Sequence, residues 1–258
     1  MEHVGYTEHP NLRSPLMLMA FSGWPDAAEG ATGALKYLVR KLPAQQFASI
    51  DPEEFYVFTR VRPVSQTNTQ GQREVTWPTN EFYYYDAGVG QQNLLIFIGV
   101  EPNLKWRAYS NAIAEVLQEQ GVRQVVIMGT LLDTVPHTRA IRITGGSSDP
   151  SLQEKLDGME VRSSTYEGPI GITTAVSQAL LSHDIASGSI WGHAPHYTQA
   201  NHYPKISLAL LEKLQEMLDW HLDLDQLRST EASFQQEFQD AVENEDELMT
   251  YVARLERR

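Results

Sequence analysis

Leu94-Leu95-Ile96-Phe97-Ile98-Gly99-Val100, followed by Glu101-Pro102-Asn103-Leu104-Lys105-Trp106-Arg107, decides how this chain folds. An unbroken apolar run closed by a proline turn fits a strand buried on both faces. From Lys105 to Gln120 apolar residues recur at helical steps instead. Tyr109, Ile113, Val116 and Leu117 share one stripe, and Gly121 stands at the stop position. A buried strand followed by an amphipathic helix is the repeating unit of a layered α/β domain.

The same alternation continues in both directions. Upstream, Leu16–Phe21 reads as the first strand and Ala27–Leu42 as a helix built on Ala31, Leu35, Leu38 and Leu42. Phe55–Arg60 reads as a second strand, Glu81–Tyr85 as a third, and the polar, turn-rich stretch Ser65–Arg73 as a mobile loop. Downstream come a strand at Val125–Leu131, a short one at Ile141–Thr144, and a helix opened by Asp149-Pro150 and running to about Leu156. A helix at Gly171–Leu181, a strand at Ser189–Ala194 and the amphipathic helix Pro204–Leu222 complete residues 1–222. The expected fold is a three-layer αβα domain with a mixed, mostly parallel central sheet.

Residues 223–258 carry no strand signal. Leu227, Phe234, Phe238, Val242, Leu248, Val252 and Leu255 recur at roughly helical steps, which predicts a C-terminal extension of one or two amphipathic helices. Its two phenylalanines require a surface, either on the same domain or on another subunit.

The 258-residue chain contains no cysteine, which excludes disulfides, thiolate metal sites and cysteine nucleophiles. It carries 20 basic against 33 acidic side chains, a formal charge of −13. That balance disfavours nucleic acid and anionic membrane as partners, because both need basic surface. The polar start does not look like a signal peptide, and Leu16–Phe21 is too short to cross a bilayer, so a cytoplasmic location is expected.

In open parallel sheets, function gathers at the carboxyl ends of strands. After the first strand stand Trp24, Asp26 and Glu29; the spacing of the two acids is that of a capping box, and Trp24 in a turn calls for a pocket or a partner. After Val100 stand Glu101, Asn103, Lys105 and Arg107. Two cations at a helix start oppose its dipole, which points to a bound anion, an acidic partner, or pairing with Glu101 or with acids elsewhere on the chain. After the Val125–Leu131 strand, Asp133, His137 and Arg139 could form an acid/base and anion-binding set. Tyr166 and Glu167 open a Gly-bracketed turn at a helix start, and His196 follows the last strand. His137, His193, His196 and His202 lack metal-ligand spacing, so neither a metal nor a cofactor is expected. Nucleophile-elbow, phosphate-loop and dinucleotide-binding motifs are all missing from the sequence.

Taken in order, Phe21-Ser22-Gly23-Trp24-Pro25-Asp26-Ala27, Gly99-Val100-Glu101-Pro102-Asn103, Gly129-Thr130-Leu131-Leu132-Asp133, Val135-Pro136-His137-Thr138-Arg139, Tyr166-Glu167-Gly168-Pro169 and Pro195-His196-Tyr197 resemble the bacterial branch of the proteasome-assembly-chaperone-2 family. The resemblance covers about Leu16 to Leu222 and extends more weakly into the tail. It implies a phosphorylase- or hydrolase-like αβα fold and a homo-oligomer, with a trimer favoured. In eukaryotic relatives it implies a chaperone of proteasome α-ring assembly. Such proteins dock through a C-terminal hydrophobic–Tyr–any-residue motif; the sequence here closes on Leu255-Glu256-Arg257-Arg258, so docking by that route is not expected.

Two functions follow as expectations. One is a non-enzymatic oligomer acting on a protein client. The other is a binder or enzyme for an anionic or nucleoside-like small molecule, with Arg107 and Arg139 holding charge and His137 or Glu167 as acid/base.

Overall fold

A computed structural model describes residues 3–159, 161–163, 167–198 and 202–257. In chain order the elements are β1 (Val4–Tyr6), β2 (Leu16–Ser22), α1 (Gly30–Lys41), β3 (Gln45–Ile50), β4 (Val64–Thr67), β5 (Arg73–Thr76), β6 (Glu81–Tyr85) and β7 (Leu94–Val100). Then follow α2 (Trp106–Glu119), β8 (Gln124–Asp133), β9 (Ile143–Ser147), α3 (Pro150–Gly158), α4 (Ile172–Ser182), β10 (Ala186–Pro195), α5 (Pro204–Leu218), α6 (Asp225–Glu243) and α7 (Asp246–Glu256).

Eight strands form one sheet in the order β1-β3-β6-β7-β2-β8-β10-β9. Its centre, β7, β2, β8 and β10, is parallel; β1, β3, β6 and β9 join antiparallel on the flanks. Alternation along β2 explains the layers. Leu16, Leu18 and Ala20 point to a core shared with α1 and α5, while Met17, Met19 and Phe21 point to a core shared with α2 and α4. Both sets are buried, which is why the strand reads as a continuous apolar run.

Two local expectations are corrected. Phe55–Arg60 is a turn segment, and the strand lies earlier, at Gln45–Ile50. Phe55 and Tyr56 are buried, but as anchors: the carbonyl of Phe55 accepts from Asn103 and Leu104 N–H at 2.9 and 3.0 Å. The Ser65–Arg73 stretch is a hairpin of β4 and β5, paired from Val64↔Thr76 to Thr67↔Arg73, with every strand residue exposed. At the start of α3, Asp149 caps as its sequence predicts, its carboxylate accepting from Leu152 N–H at 2.9 Å.

The tail forms two helices. Phe234 and Phe238 stack on one another and lie against Tyr203, which is fully buried, so the aromatic stripe packs on its own chain. No helix among the described residues is long and apolar enough to cross a membrane.

Candidate functional site at the carboxyl rim

Because β2, β7, β8 and β10 run parallel, their carboxyl ends and the turns after them share one rim. Asp26 is buried there and acts as a cap, in a register different from a capping box. Its carboxylate accepts from Ala31 N–H at 2.8 Å and Thr32 N–H at 3.3 Å, from the Thr32 hydroxyl, and from Thr130 Oγ1 at 3.3 Å. Burial pushes its pKa above the ordinary value, against the pull of those donors. Glu29 makes no cap bond; it sits in the left-handed region at φ 48°.

Glu101 joins three segments. Its Oε2 accepts from Trp24 N–H at 3.3 Å and its Oε1 from Ile172 N–H at 3.0 Å, placing negative charge at the start of α4. Gly23, at φ 115°, allows this approach: a Cβ there would lie 3.1 Å from the Glu101 Cβ. The Asn103 Oδ1 accepts from Val57 N–H at 2.9 Å and so pins the turn below the rim. Lys105 pairs at 2.7 Å with Glu54, an acid elsewhere on the chain, and not with Glu101. Arg107 stands exposed on α2, outside any ion pair among the described residues.

The Asp133–His137–Arg139 set is divided. His137 and Arg139 hold the tail. His137 is buried, accepts from the Tyr197 hydroxyl through Nδ1 at 2.9 Å and donates from Nε2 to Gln239 Oε1 at 2.8 Å. That tautomer follows from the amide oxygen, which can only accept. Burial raises the Tyr197 hydroxyl pKa to about 12, so it stays a donor. Arg139 donates to the Glu256 carbonyl, and Thr138 Oγ1 to the Glu256 carboxylate at 2.6 Å. His196 is exposed and meets Tyr251 of α7 edge-on at 5.5 Å. Glu167 is exposed, and Tyr166 lies outside the described residues.

Asp133 turns the other way. Its Oδ2 lies 2.7 Å from His193 Nδ1, whose Nε2 lies 2.9 Å from Thr144 Oγ1. Burial alone would raise the Asp133 pKa, but the bonds from His193 and Thr134 N–H outweigh it and hold it below the ordinary value. A depressed acid stabilises the fold above its unfolded pKa of 3.8 and loses that contribution as pH falls through its lower folded value. The stability gap between the parent chain and Asp133→Asn, followed by thermal melts, is therefore expected to close below that pH. A gap that stays constant would show the carboxylate to be uninvolved.

Thr144 lines a cavity of about 1050 Å³ between β9, β10 and the start of α4. Trp24, Leu132 and Ile170 stand around it with 61%, 54% and 53% of their surface exposed. Trp191 also lines it, and its ring lies across Gly129, where a Cβ would approach to 2.5 Å. Of the described residues nominated from sequence, Trp24 alone lines this cavity. His193 and Thr144 were not nominated as site residues. Their meeting depends on the β8–β10–β9 register, in which Trp191 lies opposite Gly129 and Thr144. Among the described residues, no three His, Asp or Glu side chains gather to hold a metal ion.

The solved structures similar to this chain include a PAC2 family protein from Streptomyces avermitilis, 33% identical with a TM-score of 0.82, over 92% of this chain and 99% of that one. A Mycobacterium tuberculosis proteasome-assembly chaperone homologue is 28% identical with a TM-score of 0.80, over 92% and 99%. A protein of unknown function from the same organism is 27% identical with a TM-score of 0.86, over 99% and 90%. No curated protein matches. The PAC2 family model matches residues 20–242, and this chain belongs to the PAC2 family.

Proposed function

We propose that this chain is an oligomeric protein of the assembly-chaperone type, a trimer, whose exposed rim receives a protein client. The observation that carries this reading is the trio Trp24, Leu132 and Ile170, each more than half exposed around one cavity on a chain of net charge −13. Large apolar side chains grouped at a polar rim mark interaction surface. Its similarity to a proteasome-assembly chaperone homologue supports the same class. Against the anionic-ligand reading, His137 and Arg139 are occupied by the tail, and Arg107, though exposed, does not line the cavity.

Multi-angle light scattering at micromolar concentration tests the oligomer and is expected to give three times the 29.1 kDa chain mass. Trp24→Ala and Ile170→Ser are expected to weaken assembly or client capture while leaving the melting temperature nearly unchanged. A monomer at these concentrations would overturn the proposal.

A further inference from the structure

Beyond any assembly role, we propose that Thr144 is an acyl-acceptor nucleophile activated by His193, in a cavity suited to activated carboxylic esters or thioesters with an apolar acyl or aromatic group. Two contacts define the unit. The Asp133 carboxylate can only accept, so the 2.7 Å contact places the imidazole proton on His193 Nδ1. His193 Nε2 then presents its lone pair, and Thr144 Oγ1, at 2.9 Å, donates to it. That is the order of a nucleophile, a base and a positioning carboxylate.

Each member comes from a different strand. Asp133 ends β8, His193 lies near the end of β10, and Thr144 sits on β9 opposite Trp191. Sheet hydrogen bonding therefore fixes their relative positions, unlike a chance meeting of loop side chains. Thr144 and His193 are 5% and 7% exposed, so bulk water does not compete for the contact. Thr144 nevertheless lines the cavity. Thr144 is thus the member of the unit that meets a space bounded by Trp24, Leu132, Ile170 and Trp191, which would accommodate an apolar acyl group.

Thr144 Oγ1 forms a bond to the ester carbonyl carbon as its proton passes to His193 Nε2. The bond from that carbon to the leaving oxygen or sulfur breaks, the leaving atom keeps the electron pair, and His193 returns the proton to it. Water, deprotonated by the same nitrogen, then cleaves the threonine ester and restores the hydroxyl.

The test uses the full chain with p-nitrophenyl acetate, following nitrophenolate release and locating acetyl groups by peptide mass spectrometry. Acetylation at position 144 is expected in the parent chain and in Thr144→Ser, and not in the near-isosteric Thr144→Val. His193→Gln is expected to slow release by about 100-fold, the lower range for loss of a positioned base. Asp133→Asn, which releases the tautomer, should slow release without changing which residue is acetylated. A purely structural network would alter melting temperature in these variants but leave labelling unchanged. Acetyl groups confined to lysines in the parent chain, or release by Thr144→Val equal to the parent's, would overturn the proposal. Light scattering on the same samples reports assembly separately, so either reading can fail alone.

Discussion

Asp26→Ala is expected to lower the melting temperature of the full chain by roughly 9 °C, since a loss of about 3 kcal/mol shifts a chain of this size by a few degrees per kcal/mol. The carboxylate receives the Ala31 and Thr32 amides and the Thr32 hydroxyl, all buried; alanine takes this acceptor from all three, while the Thr130 hydroxyl, 3.3 Å from the carboxylate, keeps the Ala27 carbonyl. These bonds also hold a costly turn. Ala28 and Glu29 both occupy the left-handed region, at φ 54° and 48°, where each L-residue costs about 1–2 kcal/mol. Thr130 helps to fix that turn, donating from its hydroxyl to the Ala27 carbonyl at 2.7 Å and from its N–H to the Pro25 carbonyl at 2.8 Å.

The pH dependence has a defined sign. The folded chain holds the Asp26 proton more tightly than the unfolded chain, whose pKa is 3.8. The contribution of that proton to stability is fully present below 3.8 and is lost as pH rises through the higher folded value. The deficit of Asp26→Ala relative to the parent should therefore widen as the solution is acidified, the reverse of Asp133. Calorimetry at several pH values checks this, and an unchanged melting temperature at all of them would remove Asp26 from the architecture.

Removal of residues 225–258 is expected to have the larger effect, roughly 5 kcal/mol from the uncovered aromatic surface, or about 15 °C in melting temperature. Tyr203 and His137 are at most 1% exposed, and the tail helices cover them through Phe234, Phe238 and Gln239. Lys205 is bound into the same region: its ammonium donates to the His137 carbonyl at 2.6 Å, and burial pulls its pKa down. A truncated chain that melts within about 2 °C of the parent would show that the tail is dispensable to the fold. A smaller change, Phe238→Ala, should reproduce a fraction of the loss, as it removes the ring against His137 and Tyr197.

Buried strands and amphipathic helices were legible because their patterns report burial directly. Leu94–Val100 and Leu16–Phe21 face two cores and so are apolar throughout. Gln45–Ile50 was not legible, since its first two residues are exposed glutamines and its apolar residues are too few to set a period. Phe55 and Tyr56 misled for the opposite reason: they are buried side chains on a turning backbone. At the rim, sequence grouped Asp133 with His137 and Arg139 because they are near in the chain. Strand direction gives Asp133 to His193, and the turn after β8 carries the other two to the tail. The carboxylates at 26 and 101 could be read as caps in principle, but the amide that Glu101 serves at Ile172 lies 71 positions away and depends on tertiary packing.

The two margins of the eight-stranded sheet limit how copies can join. At one margin β1 offers just Val4–Tyr6, and at the other β9 already receives the chain at Arg162, whose carbonyl takes the Gly145 N–H at 2.9 Å. A neighbour arriving to continue the ladder would find three residues on one flank and, on the other, a strand already bridged at Thr144↔Arg162. Growth by strand addition, the route to open-ended fibres, is thereby discouraged. In the proposed oligomer, contacts between copies would then fall to side chains, which suits a closed ring.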